Sequence, residues 1–198
     1  MSPTRVKLID AAISHLESDG LYGLTLREIA RSAGVSHGTP VRHFASLAAM
    51  LSAVAARSFD ELKTSLAAAV QLAADSPLDR LAAAGTAYVQ FATSNPSAYE
   101  LMFRPELLDS DEPDYVRASR AAFEQLADIT ADAQAAGWRA NLDPMTLTGV
   151  LWAGVHGIAS LSIQGALSAA TSIDDFAPFL DLFVGDLAAL PINSEALS

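Results

Sequence analysis

Four times along this chain a small polar residue stands directly before a proline at the head of a helix-forming stretch: Ser2-Pro3, Ser76-Pro77, Asn95-Pro96 and Asp143-Pro144. The polar side chain can accept a hydrogen bond from one of the backbone N–H groups that a helix start leaves without a partner. Proline in the first turn loses nothing, because its missing N–H would have been unpaired there anyway. Apolar residues then recur at helical spacing. Leu8, Ile9, Ala12, Ile13 and Leu16 follow the first pair until Gly20 stops the helix, and Leu81, Tyr88 and Phe91 follow the second. The third opens a short helix with Tyr99, Met102 and Phe103, ended by Pro105. Ser46 predicts a further start, for a long helix to about Leu72 with Met50, Leu51, Val54, Leu62, Leu66 and Val70 on one side. The acidic stretch Asp109 to Asp114 reads as a loop before a helix bearing Val116, Phe123, Leu126 and Ile129, which Gly137 terminates. A break at Thr171 to Asp175 precedes a last helix, expected from near Asp175 to about Leu190 because Pro178 fits only a first turn. No segment sustains period-two alternation, so the fold class is all-α, with about nine helices. A length of 198 residues, 51% of them hydrophobic, suits one small module at 1–46 and a larger helical one at 47–198.

The small module contains TLREIARSAGVSHGTPVRHF, from Thr25 to Phe44. Thr25 stands three residues ahead of Glu28, the spacing at which hydroxyl and carboxylate satisfy each other's backbone N–H groups. Ile29, Ala30 and Ala33 supply an apolar face, and Gly34 sits where the chain turns sharply. Val35 is expected to pack inward while Ser36 caps a second helix from about His37 to Phe44. Its outward residues His37, Gly38, Thr39, Val41 and Arg42 are then placed to enter a major groove.

The run T-x-R-E-I-A-x-x-A-G-V-S-x-G-T, then H-F and a long helix, resembles the N-terminal DNA-binding domain of TetR-family transcriptional regulators over roughly residues 4 to 57. NPSAYELMF (Asn95 to Phe103) and LWAGVHGIASLSIQG (Leu151 to Gly165) resemble the ligand-binding domain of a subgroup named for a Trp-His-Gly pattern, here Trp152, His156 and Gly157. The chain also departs from the family. Pro40 and Val41 stand where a leucine and a phosphate-touching tyrosine are usual, and Leu47 stands where a lysine is usual. Two phosphate contacts are therefore expected to be missing, and Pro40, which has no N–H, predicts a tight start to the recognition helix. The resemblance implies a homodimer paired through the last two helices, an operator of double-stranded DNA read as a pseudo-palindrome, and a small-molecule effector. Arg42 and Thr39 are the expected base contacts, with Thr25, Arg27, Ser36 and His43 on phosphates.

Charge is unevenly spread. Residues 1 to 57 hold six Lys or Arg against four Asp or Glu, whereas the whole chain carries −11. Such a polarity suits approach to DNA by one end, since phosphate contacts dominate affinity. From Pro144 to Ile173 no residue is charged. As a membrane span this run fails on content, because Thr146, Thr148, His156, Ser160, Ser162, Gln164 and Ser168 interrupt it and no Lys or Arg flanks it. It reads instead as a helix buried on most sides, with Gly149, Ala153, Gly157 and Ala166 permitting close approach of a partner helix. A basic n-region followed by an apolar h-region is not seen, so the expected location is the cytoplasm, off the membrane.

For an effector, Tyr88, Phe91, Tyr99, Met102, Phe103, Phe123, Trp152, His156 and Gln164 supply the aromatic and apolar wall with a few polar tips that small-molecule pockets have. Each aromatic alone is equally a core residue. His156, in an uncharged helix, needs a hydrogen-bond partner, which either a ligand or a neighbouring helix can supply. Because ligand and operator affinities are reciprocally linked, an effector that favours wrongly spaced recognition helices releases a repressor, and activation or effector-promoted DNA binding is equally compatible with the sequence. Two other classes compete. An enzyme finds little support: His15, His37, His43 and His156 lack i, i+4 metal spacing, and no cysteine, phosphate-cradling glycine loop or paired catalytic acids occur, so no catalytic residue, metal or cofactor is expected. A ligand-binding or interaction dimer with impaired DNA binding is motivated by Pro40, Val41 and Leu47.

Overall fold

The computed structural model describes residues 2–20, 23–73 and 76–186. Ten α-helices occur among them: α1 (Pro3–Asp19), α2 (Leu26–Ser32), α3 (Pro40–His43), α4 (Leu47–Leu72), α5 (Pro77–Ser94), α6 (Pro96–Met102), α7 (Pro113–Ala135), α8 (Pro144–Ile163), α9 (Ala166–Thr171) and α10 (Ala177–Asp181). A 3₁₀ turn at Pro105–Leu107 and a π-helical turn at Leu182–Asp186 complete the order.

The cap-and-proline starts form where the local chemistry places them. Ser2 Oγ accepts from the Arg5 N–H at 3.3 Å, Ser46 Oγ from the Ala49 N–H at 3.0 Å, and Asp143 Oδ1 from the Thr146 N–H at 2.8 Å. That bond, with a second from the Thr146 hydroxyl, holds the Asp143 carboxyl below its ordinary range. Gly20 ends α1 at φ 65° and Gly137 follows α7 at φ 98°, a region open to glycine at no steric cost. Asn95 makes no side-chain cap to α6.

Two compact units interleave along the chain: Met1–Thr64 with Ser94–Phe123, and Ser65–Thr93 with Glu124–Ser198. In the first, α1 packs on α2 and α6 around Leu8, Ile9, Leu16, Ile29, Met50 and Leu101, all fully buried. Phe59 meets Phe103 edge-on at 5.7 Å and Tyr115 at 6.1 Å beside them. In the second, Leu81, Val89, Ala133, Leu151, Val155 and Leu180 form the core, and α10 packs on α8. Val155 and Leu180 approach Gly85 of α5, and a Cβ at Gly154 would fall on the Phe183 ring.

Three expectations are corrected. The uncharged run is not one helix: Gly165, in the left-handed region at φ 66°, ends α8 and starts α9. Nor is α8 buried on most sides. Of its buried residues, Leu147, Leu151, Val155 and Ala159 recur every fourth position as one stripe with Thr148 beside it, which leaves Met145, Val150 and Leu161 exposed on the rest of the surface. Little more than a quarter of its most apolar window is buried, although by length and composition it could cross a membrane. The last helix does not run unbroken from Asp175: α10 gives way at Leu182 to a wider turn. Residues 187–190 of that expected helix lie outside the described residues.

Candidate functional site

The helix-turn-helix is built by α2 and α3. Thr25 Oγ1 accepts from the Glu28 N–H at 3.1 Å, but the reciprocal half of the predicted box is not made. The Glu28 carboxylate turns to the Arg31 guanidinium, whose hydrogen bonds hold its pKa below the usual carboxylate range. Gly34 turns the chain at φ 66°, and the half-buried Val35 returns its N–H to the Ala30 carbonyl at 3.0 Å.

The recognition helix is shorter than the expected His37 to Phe44. Only Pro40–His43 is helical, and His37 to Thr39 form a turn closed by the Thr39 N–H on the Ser36 carbonyl at 2.9 Å. Pro40 is the cause. It has no N–H with which to reach Ser36, so helical bonding begins only with the Arg42 and Phe44 N–H groups. Ser36 does not cap the helix either; its hydroxyl lies 2.8 Å from that of Thr39. Pro40 itself is buried and fixes the turn from inside.

What this turn presents to solvent is a mixed surface. Arg27, Ser36, His37, Gly38, Val41 and Arg42 are exposed, Thr25 is exposed at the start of α2, and Thr39 and His43 are half-buried. Val41 is 61% exposed. The cations of this unit fall into two sets. Arg31 is paired with Glu28, Arg57 with Asp10 and Glu61, Arg117 with Asp60 and Arg104 with Glu106. Among the described residues, Arg27 and Arg42 have no ion pair, so their charge is available to phosphate or base edges. The unit as a whole is not basic. Because Ser94–Phe123 packs with the helix-turn-helix, its ten Lys or Arg face twelve Asp or Glu, and the field at the DNA-facing turn depends on where those acids point.

The residues nominated for an effector separate into two groups. Tyr99 and Met102 are fully buried in the helix-turn-helix unit, where Tyr99 stacks edge-on with Phe103 at 5.2 Å, and Phe123 ends that unit's share of α7. Tyr88, Phe91, Trp152, His156 and Gln164 belong to the other unit. There the Tyr88 hydroxyl lies 3.1 Å from His156 Nδ1, and the Trp152 ring stands 5.8 Å from the imidazole. Burial pushes the His156 pKa below the ordinary histidine value, which favours the neutral ring. Gln164 is exposed at the C-terminal cap of α8.

Two features were not foreseen. A groove of about 290 Å³ is lined by Leu78, Asp79, Ala82, Trp138, Asp181, Val184 and Gly185, none of them nominated. Arg5, which the sequence offers only as one more positive charge, contacts the far end of α3. Its partners are a backbone carbonyl, the Phe44 ring and two acids more than a hundred residues away in sequence, so no local pattern signals it.

A capped helix, a glycine turn, a short second helix, one free arginine on each and a separate helical body define a helix-turn-helix transcriptional regulator. Known proteins agree. The family profile for bacterial regulatory proteins of the tetR family matches residues 8–54, and that for the tetracyclin repressor-like C-terminal domain matches residues 81–184. The chain is 26% identical over 179 residues to the uncharacterized HTH-type transcriptional regulator Rv0681 of Mycobacterium tuberculosis, spanning 90% of this chain and 78% of that one. A solved protein of unknown function from Rhodococcus sp. RHA1 is 32% identical, with a TM-score of 0.83 over 95% of each chain. The fatty acid degradation regulator FadR of Bacillus halodurans shares the fold at 14% identity, with a TM-score of 0.72 over 98% of each chain. The protein belongs to the TetR family of transcriptional regulators, a family without enzymatic activity whose N-terminal module binds DNA and whose C-terminal domain typically binds an effector.

Proposed function

We propose that the protein is a homodimeric repressor that reads a pseudo-palindromic operator and is released by a small apolar or aromatic effector. The observation that carries the DNA half is the pair Arg27 and Arg42, exposed and without an ion pair, around a turn at which Ser36, His37, Gly38 and Val41 are also exposed. Arg42 and Thr39 face bases in this reading, with His37, Gly38 and Val41 beside them, while Thr25, Arg27, Ser36 and His43 hold phosphates. The dimer is supported by the exposed apolar residues Met145, Val150, Trp152 and Leu161 of α8, and by Gly149 and Gly157, whose Cβ positions meet nothing from outside their own stretch of α8 within 4 Å among the described residues. Together with the last helix this surface forms the interface. Two-fold symmetry then sets two recognition helices on half-sites about one helical turn, or a multiple of it, apart.

The effector reading centres on Tyr88, Phe91, Trp152 and His156, where a neutral imidazole and a phenol stand among rings. Trp152, His156 and Gly157 also carry the assignment to the Trp-His-Gly subgroup. A ligand that competes for the Tyr88–His156 hydrogen bond shifts the protein between states and weakens operator binding by the same factor that the operator weakens its own. Action on DNA places the protein in the cytoplasm.

A second reading has its own observation. The four-residue α3 and the losses at Val41 and Leu47 favour a ligand-binding dimer with weak DNA affinity. One experiment separates the two: the effector-free protein is incubated with a random duplex pool at physiological salt, and the retained DNA is sequenced. An enriched pseudo-palindrome supports the repressor, and a folded dimer that enriches nothing supports the second reading.

A further inference from the structure

We propose that Arg5 is a positioning residue for the recognition helix: its guanidinium fixes the C-terminal end of α3, and the carboxylates of Glu112 and Asp114 hold the guanidinium in place. This rests on the reading that α3 meets DNA.

The geometry converges on one side chain. Arg5 Nη1 donates to the carbonyl of His43, the last residue of α3, at 3.0 Å. The guanidinium carbon lies 4.3 Å from the centre of the Phe44 ring, which is itself buried. Nη2 stands 3.6 Å from Glu112 and 4.0 Å from Asp114. Arg5 is only 20% exposed, so these contacts are shielded from water and salt more than surface pairs are. Arginine suits the task because a planar fork can donate in one direction, stack on a ring and meet carboxylates in another at the same time.

The acids are themselves anchored. Ser52 of α4, fully buried, donates to the Asp109 carbonyl at 3.1 Å and accepts from the Asp109 N–H at 2.8 Å. Arg117 reaches Asp60 of α4 with two hydrogen bonds, at 3.1 and 3.3 Å. The loop before α7, though its side chains are mostly exposed, is therefore tied to α4 at both ends. A four-residue helix with one turn of its own hydrogen bonds cannot set its own direction, since the cost of nucleation exceeds what so few bonds return. Its start is tied by the buried Pro40 and its end by Arg5.

The sign of one effect distinguishes positioning from plain electrostatics. Removing two acids near a DNA-binding surface should strengthen DNA binding if they act only by repulsion. Positioning requires the reverse. The test uses the full chain as R5A, R5K, E112Q/D114N and R5A/E112Q/D114N, with thermal melting to show that each is folded. The first measurement is amide hydrogen exchange at Arg42 to Phe44 without DNA; the second is affinity for the duplex that wild type selects, against salt. R5A and E112Q/D114N are expected to speed exchange at those amides by about tenfold, with no further gain in the combined variant, and to weaken operator binding by about tenfold at unchanged salt slope. R5K, which keeps the charge but not the fork, should fall between wild type and R5A. Unchanged exchange in E112Q/D114N, or stronger operator binding by it, overturns the proposal, as does a salt slope that drops by about one unit in R5A, which would make Arg5 a phosphate contact. If wild type selects no sequence, the DNA reading fails, while the exchange measurement still decides whether Arg5 and the acids hold α3.

Discussion

Replacing Gly154 by alanine tests the packing of the helical body at a point where two opposing effects are both large enough to measure. Glycine inside a helix costs ~1 kcal/mol relative to alanine, so an unobstructed substitution in α8 should stabilise by about that amount. At Gly154 a Cβ would meet the edge of the Phe183 ring, which must swing away and give up its seat against α8. Forcing extra atoms into a packed site typically costs ~1–3 kcal/mol, so the gain should be cancelled or reversed. Gly149 is the control, because among the described residues nothing from outside its own stretch of α8 lies within 4 Å of its Cβ position. Comparing G154A with G149A, both diluted until monomeric, removes the helix-propensity gain common to both and leaves a difference of ~1–3 kcal/mol, read by urea denaturation at equal protein concentration. If the two variants are equally stabilised, Phe183 is not seated on Gly154 and the packing of α8 against the turn at Leu182–Asp186 is refuted. The control also reports on the dimer. A second copy covering Gly149 would turn its expected gain into a loss that is greatest at high protein concentration and fades as dilution separates the dimer.

Restoring phosphate contacts with V41Y/L47K should raise affinity for generic duplex and steepen the salt dependence by about one charge's worth, from the added lysine; an unchanged slope would show that position 47 does not reach the backbone. The S52A variant leaves both the Asp109 N–H and its carbonyl without their buried partner and should cost ~1–3 kcal/mol, seen as a lower urea midpoint with an unchanged m-value. His156 titrates below its unfolded value of about 6.5, so the unfolded chain binds the proton more readily. Its contribution is present above that value and lost as pH falls through the lower folded pKa; H156Q should flatten the fall in melting temperature between about pH 7 and pH 5.

Helix starts were legible because each is a matter of adjacent residues. Ser2-Pro3, Ser46 and Asp143-Pro144 carry their caps within three positions, and the structure returns those bonds. The length of α3 was half legible. Pro40 signalled a tight start, but the loss of a whole turn depends on Thr39 finding Ser36 instead, a competition between nearly equal local bonds. α8 misled in another way: absence of charge says that a surface is covered by something, and only packing says whether the cover is the same chain. Of the nominated effector residues, Tyr88, Trp152 and His156 come together, whereas Tyr99 and Met102 serve the core of the helix-turn-helix unit. Arg5 and Glu112 could not be paired from sequence, since a charge contact across so much chain leaves no periodic trace.

The interleaving of the two units bears on how this protein can be recombined. α4 passes from one unit to the other at Thr64 and α7 at Phe123, each as an unbroken helix. A chimaera that grafts a new sensor onto this DNA reader by a single crossover after α4 would discard Ser94–Phe123, and with it the aromatic cluster of Phe59 and the anchors of Arg5 and Ser52. A working exchange needs three junctions, inside α4, near the start of α6 and inside α7, each kept in helical phase. Drift by gene fusion is thereby hindered, and the reader and the sensor are constrained to change together.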